Sequence, residues 1–280
     1  MSEKRRTGGA RSPAESLREY GRGVAGGLLF SLPLLYTTEV WEAGFTLPPH
    51  RQLAYLAGTC ILLLGYNRYS GLHPDTSWAE VVIDSVEELG IGLVLSVVIL
   101  VALDRISPGQ QVDEILGRIV VEALVIAIGV SVGTAQLGGD EEREDRDQPV
   151  GIGGHLILAA CGAVLFAANV APTEEIVVLG TELPPRQLIG LAVLSMTLCG
   201  LVLYFSDFRG TRRLSRPHGR FGALRGVVLT YAVSLVSAAL VLWLFGRFDG
   251  TGLSAVVGQT VTLGVAASLG ASAGKLLLQQ

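Results

Sequence analysis

Charge is what this chain has least of. Asp, Glu, Lys and Arg make up only 16% of its 280 residues, while 50% are hydrophobic and the mean hydropathy is +0.50. A water-soluble domain of this length needs more charge to cover its surface, which excludes a soluble fold. The net charge of −4 is too small to draw the chain to nucleic acid. Cysteine is scarce too. Cys60, Cys161 and Cys199 stand singly in apolar runs, with the spacing of neither a disulfide framework nor a metal cluster. The four histidines, His50, His73, His155 and His218, are scattered and show no metal-ligand spacing. There is no P-loop, no dinucleotide fingerprint and no HExxH. No cofactor is expected, nor an enzyme, because no convincing nucleophile–base set appears. Residues 1–20 are polar, with no cleavable signal sequence behind them, and are expected to form a flexible tail.

What is present is apolar length. Eight candidate membrane helices can be laid out, at approximately 22–44, 52–67, 79–103, 117–137, 153–173, 187–206, 222–246 and 252–276. Glycine, 36 residues in all, runs through them and suits close helix contacts in lipid. All but five of the 21 basic residues fall on one side if the N-terminus is cytoplasmic; the exceptions are Arg51, Arg105, Arg118, Arg186 and Arg247. This asymmetry predicts a multi-pass protein of the plasma (inner) membrane with both termini cytoplasmic. The basic loop Asp207–Arg225 dominates it. That loop reads as a topology signal, or alternatively as a contact for anionic lipid.

One sentence of sequence is written twice. Phe30-x6-Thr37-x-Glu39-x4-Gly44-x2-Leu47-Pro48-Pro49 recurs, 136 residues on, as Phe166-x6-Thr173-x-Glu175-x4-Gly180-x2-Leu183-Pro184-Pro185. Gly129-x-Ser131-x-Gly133 recurs as Gly270-x-Ser272-x-Gly274. The fold expected is therefore all-α and polytopic, with about eight transmembrane helices in two four-helix repeats. The first repeat would span 21–137 and the second 152–280, joined by a charged cytoplasmic linker at 138–151. An even number of spans per repeat predicts parallel rather than inverted copies. The Gly-x-Ser-x-Gly letters also occur at hydrolase nucleophile elbows, but here they lie inside apolar helices. Gly129, Ser131, Gly133, Gly270, Ser272 and Gly274 read instead as a packing stripe, joining the two halves or joining subunits of a homo-oligomer.

The acids carry the functional reading. Glu39 and Glu42 share a face, with Thr37 and Thr38 just before them. Thr173, Glu174 and Glu175 form the counterpart, and Glu122 should lie at a similar depth. Glu80, Asp84, Glu87 and Glu88 form a second stripe with no acidic counterpart in the other half. A charged carboxylate in hydrocarbon costs about 2.5–3.5 kcal/mol on insertion scales, so such groups normally face a cavity, a partner or an ion. Glu39, Glu42, Asp84, Glu87, Glu88, Glu122, Thr173, Glu174 and Glu175 are thus expected to line an ion or proton pathway. The function expected is a transporter or channel for a small cation or proton in the lipid bilayer. The alternative is a non-transport scaffold or sensor acting through a protein partner.

The Phe-x6-Thr-x-Glu repeat, the run Asn169-Val170-Ala171-Pro172-Thr173-Glu174-Glu175 and the end Gly246-Arg247-Phe248-Asp249-Gly250 resemble a bacterial and archaeal family of integral membrane proteins of unknown function. The likeness covers about Gly21 to Leu278. It implies a polytopic inner-membrane protein and assigns no substrate. A similarity to cation exchangers, which also repeat short acidic helix segments, is analogy alone.

Overall fold

A computed structural model describes residues 13–70, 77–136, 152–209 and 219–277. The linker at 138–151 and residues 210–218 of the basic loop lie outside them. Ten helices and no strand occur among the described residues. They are α1 (Pro13–Leu35), α2 (Thr38–Thr46), α3 (Pro49–Ser70), α4 (Trp78–Ala102), α5 (Val112–Gln136), α6 (Ile152–Val170), α7 (Glu174–Glu182), α8 (Pro185–Arg209), α9 (Gly219–Leu244) and α10 (Leu253–Leu277).

Six of these, α4, α5, α6, α8, α9 and α10, are long and apolar enough to cross a membrane. The bent pair α1–α2 raises the number to seven if it counts as one span. Helix α3 has 22 residues but carries Arg51, Gln52, Asn67 and Arg68, which dilute its apolar character. Helices α4 and α8 turn most of their surface outward, with Val94, Val98, Val193 and Leu201 exposed. An apolar outer surface of this extent suits lipid.

Two expected boundaries change. Helix α1 begins at Pro13, inside the stretch expected as tail, because proline is favoured at a first helical position and good helix formers follow. The expected span 22–44 is not one helix. The chain turns by 87° between α1 and α2. Pro33 supplies no N–H to the α1 ladder, and Thr37, in extended conformation, starts a new helix. The second copy of the motif likewise ends α6 at Val170 and starts α7 after Thr173.

Helix directions follow from contacts. Gly23 lies against Thr134 and Gly27 against Ile126, so α1 and α5 are antiparallel. Ser96 Oγ donates to Ile119 O and Gly92 faces Ala123 and Ala127, so α4 is antiparallel to α5 as well. Gln52 lies beside Gly117 while Ser131 meets Asn67, which makes α3 parallel to α5. Gly65 faces Ile157 and Leu62 faces Cys161, so α6 runs against α3 and in the same direction as α1.

Glycine makes these approaches possible. A Cβ on Gly26 or on Gly133 would overlap the other residue's backbone, and the same holds for Gly162 and Gly270. The repeated Gly-x-Ser-x-Gly therefore joins the first and last long helix within each half, α1 to α5 and α6 to α10. It does not join the halves to each other, as the sequence had suggested. Small residues pay off where backbones cross most closely, and that crossing is local.

The halves meet through polar clips. Asn169 on α6 reaches into the α1 ladder, where its Oδ1 accepts from Leu34 N (3.1 Å) and its Nδ2 donates to Phe30 O (3.0 Å). This is a side chain inserted into an i→i−4 hydrogen bond beside Pro33. At the end bearing the short helices, the Arg51 guanidinium donates to both carboxylate oxygens of Asp249, each at 2.6 Å, and stacks over Trp243. Gly246, at φ +72°, lets the chain between α9 and α10 turn tightly beside Arg51.

Gly133→Leu should lower stability by ~2–3 kcal/mol in thermal unfolding in detergent, whereas Gly58→Ala, with open space around it, should be neutral. Asn169→Leu removes both hydrogen bonds of this clip and puts an apolar side chain against the kinked ladder, and should cost about 1–3 kcal/mol in the same measurement. Arg51 holds the Asp249 carboxyl below its usual range, chiefly by hydrogen bonding. The stability this contributes is present above the unfolded-state pKa of about 4 and is lost as pH falls through the lower folded value. Asp249 is largely exposed, so Asp249→Asn should cost under ~1 kcal/mol at neutral pH, and the variant should converge with wild type in strong acid.

Candidate functional site

The buried positions of α4 are Val81, Ser85, Glu88, Gly92, Ser96 and Leu100. Their spacing of three or four residues makes one stripe. It turns Glu88 inward and leaves Asp84 and Glu87 exposed, so the expected acidic stripe is divided. Glu80 has a local role: its carboxylate accepts from Ser77 N and its own N–H donates to Ser77 Oγ, a capping box.

Glu88 is 9% exposed and meets a network built from three helices. Asn67 Nδ2 on α3 donates to Glu88 Oε2 (2.8 Å) and to Ser85 Oγ (3.0 Å). Ser131 Oγ on α5 donates to Asn67 Oδ1 (3.1 Å), and Ser85 Oγ donates to Val81 O (2.7 Å). Cys161 on α6 lies within electrostatic reach of Glu88 and points its thiol at Leu62 O. The Ser131 of the packing motif thus has a polar task besides its small size. Ser272, its counterpart, donates only within its own helix.

Glu122 is 1% exposed, and neither of its oxygens has a hydrogen-bond partner. Trp41 lies beside it but donates its indole N–H to Leu35 O. Arg118, one turn earlier, donates to Glu114 Oε1 (2.5 Å), Arg105 O (2.6 Å) and Trp41 O (3.3 Å). Glu122 precedes Ser131 by nine residues on α5, which separates the two levels by about 14 Å. The two buried carboxylates therefore sit at different depths of one helix bundle.

The acids of the short helices are distributed differently. Glu42, Glu174 and Glu175 are exposed and Glu39 is half-buried. Thr37 and Thr173 precede these helices, but their hydroxyls donate backward, to Pro33 O and Val170 O. Arg247, half-buried in the turn before α10, donates its Nε–H to Ala171 O and lies within electrostatic reach of both Glu39 and Glu174. Burial draws the Arg247 guanidinium below its usual pKa against the opposing pull of these two acids. The structure therefore gathers Glu39 and Glu174 around Arg247 and leaves Glu42 and Glu175 on the surface. A cavity of about 20 Å³ lies between the halves, lined by Phe30, Tyr66, Val132, Leu158 and Leu165 among others, and no acid borders it.

Sequence reasoning did not single out Asn67, Asn169 or Arg247 as individual positions. Asn169 is isolated within an apolar helix, and that isolation was the available signal; Asn67, beside Arg68 near the end of α3, offered none.

No curated protein and no solved structure matches the chain. A family model described as "Putative integral membrane protein (DUF2391)" matches residues 19–278. The match spans nearly the whole sequence and fits the long apolar helices and outward apolar surface described above. The chain belongs to this family of integral membrane proteins.

Proposed function

We propose that the protein is a transporter or channel for a small cation or proton, and that Glu88 and Glu122 are the groups that take it up inside the membrane. The single observation that carries this reading is the inward turn of Glu88 into a hydrogen-bonded pocket of uncharged side chains. A carboxyl group removed from water needs partners or must give up its charge. Among the described residues, the Asn67 amide donates to Glu88, and the Glu122 oxygens meet no donor within hydrogen-bond distance, with Trp41 and Arg118 beside them. Retaining two such groups at different depths is costly for a bundle that merely packs, and ionisable residues inside a membrane bundle mark ion pathways. Glu39, Glu174 and Arg247 form a charged rim at the end bearing the short helices, with Glu42 and Glu175 on the surface beside it.

The same reading takes the chain as two copies of one unit of four long helices and a short one. The short helices α2 and α7, the start of α3 at Pro49 and of α8 at Pro185, and the glycine crossings at matching places support it. Helices α1 and α6 run in the same direction, as parallel copies require. In the orientation given by the basic residues, the short helices lie at the outer face of the plasma membrane and both termini in the cytoplasm.

Purified protein in liposomes, loaded with a pH-sensitive dye and driven by a potassium diffusion potential, tests the proposal. Glu88→Gln and Glu122→Gln should each lower the initial ion flux by about 10²-fold, while Glu175→Gln, at the surface, should stay near wild type. No flux above empty liposomes from well-folded wild type would sink the transport reading and favour a scaffold or sensor.

A further inference from the structure

We infer that the ion accepted by the Glu88 cluster is the proton itself, carried on the carboxyl group, and that the cluster rejects dehydrated metal cations. This rests on the transport reading above and narrows its cargo. A hard metal ion stripped of water needs about six oxygen ligands directed at it. The cluster directs hydrogens instead. Ser85 uses its hydroxyl hydrogen on Val81 O, so its oxygen must face a donor. That requirement fixes the Asn67 amide, with Nδ2 toward Ser85 and Glu88 and Oδ1 toward Ser131. Ser131 then closes the far side by donating to Oδ1. Both amide hydrogens are engaged, and α3 presents N–H rather than oxygen to the carboxylate. The Ser131 oxygen is within reach of Glu88, but with the carboxylate it makes only two ligand groups.

The second buried acid offers no better cage. Glu122 lies on a fully buried stretch of α5 flanked by Val121, Ala123, Leu124 and Val125. Among the described residues, no group of three or more His, Cys, Asp or Glu side chains is placed to hold a metal ion.

A proton needs no cage. The carboxylate takes H⁺ from hydronium and releases a water molecule; on the return step a water molecule receives the proton back. Charge is balanced at each step, and no other reactant is required. The titratable groups facing Glu88 are Asp84 and Glu87 on its own helix and Cys161 on α6, while α3 and α5 contribute the uncharged Asn67 and Ser131. Among the described residues, the charged groups that act on Glu88 are acids, so none of them is a cation that opposes the arriving proton.

Two measurements on the full chain test this. In detergent, the melting temperature is followed against pH, and then at fixed pH with Na⁺, K⁺, Mg²⁺ or Ca²⁺ at equal ionic strength. The expected result is a wild type indifferent to which cation is present, with a pH profile that differs from that of Glu88→Gln. A saturable rise in wild-type melting temperature with one of the four cations would overturn the inference, even if Glu88→Gln does not fold. In liposomes, proton movement unchanged by exchanging Na⁺ for K⁺ supports the inference, whereas Glu88-dependent movement of a metal cation overturns it and keeps transport. A wild type that is pH-sensitive and cation-indifferent in detergent yet moves no ion in liposomes ends the transport reading and leaves the proton site standing.

Discussion

The architecture depends on backbone meeting backbone where α1 crosses α5 and α6 crosses α10. At Gly26–Gly133 and at Gly162–Gly270 neither partner has room for a side chain. In lipid there is little hydrophobic gain in bringing one apolar helix to another, so tight van der Waals contact at such crossings has to supply the attraction. The result is that α5 is buried along Val121–Val132, chiefly by its own half, and α10 occupies the corresponding place in the other half. Short helices α2 and α7 then close over the ends of α5 and α10, with Gly44 on Gly117 and Gly180 on Gly258. A group placed on that stretch of α5 is shut off from the surroundings of the bundle, and Glu122 and Ser131 acquire their setting in that way.

The interior of the two halves differs in chemistry more than in shape. Asn67, Glu88 and Glu122 are all in the first. In the second, Ser234, Ser268 and Ser272 are buried but bond mainly within their own helices. Gln259 is buried against Gly180 with neither amide atom bonded. The second half behaves as a frame against which the polar column of the first is held. It meets the first half at the boundary, through Cys161 and Asn169.

Much of this was legible beforehand, and the gaps have physical causes. The apolar composition gives the membrane class, and Leu-Pro-Pro marks the start of α3 and of α8, because proline suits a first helical position. The helix break after Leu35 was harder to read. A nine-residue helix lying across the bundle end has nearly the same composition as a continuation of α1. The division of the α4 acids was hidden for a related reason. On a membrane helix both the lipid face and the protein face are apolar, so hydropathy does not tell them apart. Small and polar positions do, and Ser85, Gly92 and Ser96 point to the face that carries Glu88. The repeated Gly-x-Ser-x-Gly showed where helices touch but not which helices, since that depends on the bends that bring them together.

Pro33 and Asn169 occupy matching places in the two written-out motifs, 136 residues apart. One opens a gap in a helix and the other fills it from across the boundary. During synthesis α1 leaves the ribosome long before α6 exists, and until then Leu34 N and Phe30 O can only close on each other across the kink. The first helix can thus enter lipid closed, and opens to take the Asn169 amide only when α6 arrives beside it. Its final seating waits for the sixth, which makes the middle of translation the point at which this bundle becomes a single object.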